Sequence, residues 1–198
     1  MFTDFHPIAS AKLEKATAIH QPVQHLPERV SLNDPAIDVM TDLSKVSAVS
    51  IEELATIESA GRRMLQHGVR LLLVRDEHGF VSGILTSTDL LGEKPMQFMQ
   101  HSGMARKDVL VQHIMTPQAS IETLHMADVL HAKVGNVVAT LKKTGRRHAL
   151  VVDAALPEQR QKVRGIFSAS QIGKQLGIEI ETNAYAQSFA EIEAQLAR

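Results

Sequence analysis

Ile57-Glu58-Ser59-Ala60-Gly61-Arg62-Arg63-Met64-Leu65-Gln66-His67-Gly68, followed by Leu71-Leu72-Leu73-Val74, is the stretch on which the fold turns. Ile57, Ala60, Gly61, Met64 and Leu65 recur at the spacing of one helical face. Thr56 stands at the N-cap and Gly68 just past the end, where a left-handed residue closes a helix. The apolar run after it is unbroken, the pattern of a strand covered on both faces. The same pattern recurs 77 residues later. Val134, Val137, Val138 and Leu141 repeat the stripe, Gly145 repeats the stop, and Ala149-Leu150-Val151-Val152 repeats the strand. A chain that repeats a unit must be read as a repeat before anything else.

The likeness extends outward. Phe80-Val81-Ser82-Gly83-Ile84-Leu85-Thr86 and Val163-Arg164-Gly165-Ile166-Phe167-Ser168 predict a further strand in each copy, separated from the preceding one by a longer turn in the second, Ala154 to Lys162. A short helix is expected after each, with Thr88 and Ser170 as N-caps, and a short strand before each main helix, near Val46 to Ser50 and near Ala119 to Leu124. Pro95 suits the first turn of an added helix running to Gly103. The fold class is therefore α/β (α+β in layout): two β-α-β-β-α repeats packed as one module, plus an N-terminal arm and a C-terminal helix. The divisions are an arm at 1–33, a first repeat with a helical extension at 34–104, a second repeat at 105–177, and a tail at 178–198. Ala184, Tyr185, Ser188, Phe189, Ile192 and Leu196 give that tail an amphipathic helical face.

Composition narrows the function. The chain has 198 residues, 44% of them hydrophobic and 22% charged, as in an ordinary globular protein. With no cysteine, disulfides, thiolate metal sites and cysteine nucleophiles are excluded. No apolar run reaches the length of a membrane span and Met1 to Ser10 shows no secretory pattern, so a cytoplasmic protein without membrane attachment is expected. A net charge of -1 argues against nucleic acid as partner. Yet Lys133 to Arg164 holds eight basic residues against two acidic ones, a local positive field that suits a small anion.

Several motifs together resemble those of a known family. Gly83-Ile84-Leu85-Thr86-Ser87-Thr88-Asp89 resembles the glycine, two apolar residues, Thr/Ser, two residues, Asp pattern that closes a CBS domain. Val39-Met40-Thr41 and Ile114-Met115-Thr116-Pro117 resemble the Met-Thr signature that opens each copy. His67-Gly68-Val69-Arg70 and Thr144-Gly145-Arg146-Arg147-His148 resemble its helix-to-strand turn. The resemblance covers Asp34 to Gly177 and is that of two CBS motifs forming one tandem, or Bateman, module.

The resemblance implies an adenosine-containing ligand, AMP, ADP, ATP or S-adenosylmethionine, in a cleft between the copies. It requires no other cofactor. Thr86 and Asp89 would meet the ribose, the carboxylate accepting from both vicinal hydroxyls; the other reading of the two residues is a helix cap. In the second copy Ser168 stands in for Thr86, but Gln171 replaces Asp89 and offers one neutral acceptor. That copy is instead basic: Arg146, Arg147 and His148, with Arg70 in the first, occupy the turn where phosphates are contacted. An asymmetric site is the consequence, the first copy holding the nucleoside and the second its phosphates. Lys142 and Lys143 are read as complements of a helix C-terminus.

Catalysis finds no support in the residues. The ten histidines lack metal-ligand spacing and are read as surface residues, and neither a Gly-x-Ser-x-Gly elbow nor a Walker loop occurs. The resemblance implies a homodimer and a partner protein that receives the signal. Ala60, Met64, Val137 and Leu141 would serve either the internal core or that dimer interface. A ligand-free dimerisation scaffold is the competing reading, favoured by Gln171 and opposed by Thr86 with Asp89.

Overall fold

The computed structural model describes residues 8–19, 22–153 and 160–182. The expected C-terminal helix at 184–196 and most of the turn at 154–162 lie outside them. In the first half, β1 (Thr41–Asp42) precedes β2 (Ser50–Glu52), α1 (Ile57–His67), β3 (Leu71–Arg75), β4 (Val81–Thr86), α2 (Ser87–Leu91) and α3 (Lys94–Ser102). The second half repeats the plan with β5 (Thr116–Pro117), β6 (Thr123–His125), α4 (Met126–Val129), α5 (Val134–Thr144), β7 (His148–Val152), β8 (Val163–Ser168) and α6 (Ala169–Leu176). β2 and β6 begin a few residues later than the apolar pattern suggests. The main helices end as expected: Thr56 accepts from the Ser59 amide, and Gly68 and Gly145 are left-handed at φ 63° and 64°.

The two halves are laced together. One sheet has the order β2-β3-β4-β5 and the other β1-β8-β7-β6, so each half lends its first strand to the other half's sheet. Thr41 pairs with Ile166 and Asp42 with Gly165, while Thr116 pairs with Ile84 and Pro117 with Gly83. This exchange explains two elements of the repeated motif at once. The signature methionine of each half lies over the glycine of the other half's closing strand. A β-carbon on Gly165 would lie 2.5 Å from the Met40 sulfur, and one on Gly83 would lie 2.7 Å from both the Met115 sulfur and the Thr116 carbonyl.

Three apolar clusters result from this topology. One joins Ala36, Val39 and Met40 to α5, β7, β8 and α6; a second joins α1, β3 and β4 to Val109, Val111 and Ile114. Each core thus includes the segment that opens the opposite half. Ala60, Met64, Val137 and Leu141 are all buried within their own halves, so these four serve the internal core and not an interface between chains, whereas Leu65 of the same predicted stripe is exposed. Each such side chain contributes about 1.5–3 kcal/mol on burial when it is of Val, Leu or Met size. The third cluster, Leu71, Leu73 and Leu150 with Ile84, Ile121 and Ile166, is the apolar seam between the sheets.

The N-terminal arm is exposed over 8–19 but tied down further on. The Gln24 side-chain amide donates to the Met40 carbonyl and accepts from the Asp42 amide, closing the outer edge of β1. Gln175 donates to the Pro27 carbonyl from α6. No helix among the described residues is long and apolar enough to cross a membrane.

Candidate functional site

Strand β4 passes into α2 without a loop, because Thr86 is at once the last strand residue and the helix N-cap. The cap lies two residues before Thr88, and in the second half Ser168 likewise precedes Ser170. A reciprocal capping box explains the position. Thr86 Oγ1 accepts from the Asp89 amide at 3.3 Å, and Asp89 Oδ2 accepts from the Thr86 amide at 2.8 Å and its hydroxyl at 2.6 Å. Oδ1 is held by Lys94 Nζ at 2.5 Å, from the first turn of α3. Lys94 also donates to the Ile114 carbonyl at 3.2 Å. Asp89 is only 8% exposed.

This geometry bears on the expected ribose contact. A carboxylate has about four lone-pair sites, and Thr86 and Lys94 take three of those on Asp89. A sugar diol cannot be held by both oxygens while the capping box stands; one acceptor site on Oδ1 is left for a hydroxyl. The capping box and Lys94 thus leave Asp89 able to accept one further hydrogen bond and not a bidentate pair. Lys94 is not a candidate from sequence, since its meeting with Asp89 depends on how α2 turns into α3.

Asp89 nonetheless opens onto a cavity of about 810 Å3 between the two halves. Thr86, Asp89 and Arg70 of the first half and Arg146, Arg147 and His148 of the second all line it. Its apolar wall comes from Leu71, Ile84, Ile121 and Leu150, at the margin of the inter-sheet seam. Ser168 does not line it; the Ser168 hydroxyl pairs with that of Ser170 at 3.0 Å, and Ser170 takes its place in the wall. Gln171 is also outside the lining and donates to Gln175 at 3.3 Å.

The cations differ in availability. Arg146 is engaged by the Glu122 carboxylate at 3.6 Å and the Ser120 carbonyl at 3.3 Å. Arg70 and Arg147 make no ion pair among the described residues, and they are counterparts at the 77-residue offset. His148 is half-buried, and burial, then the charges of Arg147 and Arg70, push its pKa down to about 4, against a smaller upward pull from Asp89. It is neutral at pH 7 and so adds no positive charge beside Arg147. Nor is it a surface histidine. His113 is another exception, its ring stacked on Phe98 at 4.2 Å. Among the described residues no group of three His, Asp or Glu is close enough to hold a metal ion.

The CBS-domain family model matches residues 36–95, the first half. No curated protein matches the sequence. Among solved structures, the chain is similar to an uncharacterized conserved protein from Pyrococcus horikoshii, at 22% identity and TM-score 0.51 over 72% of this chain and 92% of that one. It is similar also to CBSX2 of Arabidopsis thaliana, solved in complex with AMP, at 20% identity and TM-score 0.50 over 70% and 93%. The CBS domain pair of MJ0100, solved with 5-methylthioadenosine and S-adenosyl-L-methionine, aligns at 21% identity and TM-score 0.50 over 73% and 97%. The family model thus identifies a CBS domain at residues 36–95, and the second half rebuilds the same order of strands and helices, the layout of a CBS pair.

Proposed function

We propose that this module binds an adenosine-containing ligand, AMP, ADP, ATP or S-adenosylmethionine, in the cavity between its repeats and passes its state to a partner protein. It does so without catalysis, as a cytoplasmic homodimer. The observation that carries the reading is the joint lining of one cavity by Thr86 and Asp89 from the first repeat and Arg147 and His148 from the second. Its volume lies within the range of about 300–1,000 Å3 typical of small-molecule sites. A purine fits the apolar wall of Leu71, Ile84, Ile121 and Leu150. A ribose hydroxyl reaches the remaining acceptor on Asp89, and a phosphate takes the unpaired guanidinium groups of Arg70 and Arg147, which suit bidentate recognition. The bound adenine compounds of CBSX2 and MJ0100, which share the fold, support the ligand class. Exposed Leu65, Leu91 and Met96 favour a helical face for the second copy.

The ligand-free scaffold retains one observation in its favour, the engagement of Asp89 by Thr86 and Lys94. A thermal-shift screen separates the two. Any ligand that binds only the folded state stabilises it by about 2.7 kcal/mol at a hundredfold excess over Kd. An adenine nucleotide or S-adenosylmethionine is expected to raise Tm. If none of them does, the scaffold is the better account.

A further inference from the structure

The repeats differ most beyond their last short helix. In the first, Gly92 and Glu93 lead directly into α3, which stays outside the cavity lining. In the second, Gly177 turns left-handed at φ 68° and the chain doubles back across α6. The Ile178 amide donates to the Gly173 carbonyl at 3.0 Å. The Ile178 carbonyl comes so near that a β-carbon on Gly173 would lie 2.7 Å from it, so only glycine admits this return. Further along, Ile180 joins the second repeat's core at 9% exposure and Thr182 is buried at 5%.

Ile178, Glu179, Ile180 and Thr182 all line the cavity. We infer that Ile178–Thr182 is a wall of the ligand site whose order depends on occupancy, so that an adenine nucleotide bound in the cavity holds this segment down. The inference rests on the proposed nucleotide site and adds an element that the CBS motifs do not include. Its physical basis is a thin attachment. Among the described residues, one backbone hydrogen bond, from the Ile178 amide, and two buried side chains, Ile180 and Thr182, tie the segment to the body, while Ile178, Glu179 and Glu181 are exposed. Segments with few buried apolar contacts and solvent-facing backbone open at low free energy. A ligand against the inner side adds contacts present only in the closed arrangement, and shifts the equilibrium by that difference. Glu179 brings a carboxylate to a lining that also holds Arg70, Arg147 and Lys174.

The chain contains no cysteine, so one introduced thiol reports one position. Glu179→Cys places it on the segment and Gln100→Cys on α3, both at exposed sites. With AMP or ATP at saturation, alkylation of the first is expected to slow at least fivefold and that of the second to stay unchanged. Amide hydrogen exchange on the unsubstituted chain provides the same comparison, with slowing expected over 178–182 and not over 94–102. If nucleotide raises Tm but neither measurement changes at the segment, the inference is overturned and the site stands. If nucleotide neither raises Tm nor protects the segment, both fall.

Discussion

The two repeats share a backbone plan and use their charges in opposite ways. In the second repeat's sheet, Asp42 of β1 is 1% exposed and ion-paired with Arg164 of β8. Burial alone would raise the Asp42 pKa, but hydrogen bonds from Ser44 and the charge of Arg164 bring it below the usual carboxylate value. The same two places in the other sheet hold Pro117 and Ser82, neither charged. The first repeat keeps its carboxylate instead at Asp89, beside the cavity, against a lysine whose side chain is 47% exposed. A pair whose carboxylate is fully buried under a mostly covered arginine is structural, whereas one with a half-exposed partner at a cavity edge can exchange partners. In the proposed site, that contrast would give a pseudo-symmetric scaffold one charged ligand end rather than two.

The contrast can be broken most forcefully at its ion pairs. Arg164→Ala leaves Asp42 buried without its cation, held by Ser44 alone, and is expected to cost about 3 kcal/mol in a urea melt. Lys94→Ala exposes Asp89 to solvent and ligand and is expected to cost about 1 kcal/mol, the order of a partly exposed pair. Equal losses would contradict the assignment of one pair to structure and the other to function. Next come the glycines under the exchanged strands. Gly83→Ala meets the Thr116 backbone as well as the Met115 side chain, and Gly165→Ala meets only the Met40 side chain. Overpacking of this kind costs about 1–3 kcal/mol, so Gly83→Ala is expected near 2 and Gly165→Ala near 1, both read from denaturation midpoints.

The smallest effect is on pH. The His148 pKa is depressed to about 4 in the folded chain, below its unfolded value of 6.5, so the folded state disfavours the proton. Its stabilising contribution is complete above pH 6.5 and is lost progressively as pH falls toward 4. Between pH 7 and pH 5 the loss is expected to be on the order of 1 kcal/mol, allowing for the part of the ring that solvent reaches. The counterpart in the first repeat is Leu71, which does not titrate. His148→Leu should therefore flatten this part of the stability profile. An anionic ligand beside His148 should raise its pKa, so nucleotide affinity is expected to rise as pH falls from 7 to 5.

The elements legible from sequence are those fixed by neighbours in the chain. Thr56 and Gly68 bound α1, Gly145 ends α5, and the unbroken apolar runs are β3 and β7. The meeting of Thr86 and Asp89 with Arg147 and His148 in one cavity is also a consequence of the repeat. The features hidden from sequence depend on contacts distant along the chain. The exchange of β1 and β5 between sheets has no local signature, although it explains why each Met-Thr pair is matched by a glycine in the other half. The Asp42–Arg164 pair spans 122 residues, and the arrival of Lys94 at Asp89 depends on the turn at Gly92. The neutrality of His148 is a property of burial, which a run of basic residues does not reveal.

A single one-sided site is put to the test by calorimetric titration of AMP into three chains, wild type, Asp89→Asn and Gln171→Ala. Asparagine retains an acceptor for the capping box but removes the charge, so the first repeat's fold is preserved while its ligand contact is weakened. One nucleotide per chain is expected for the wild type and for Gln171→Ala, with Kd at least tenfold weaker for Asp89→Asn. Two equivalent sites, or a loss on Gln171→Ala with none on Asp89→Asn, would be incompatible with a ligand held by the first repeat's carboxylate.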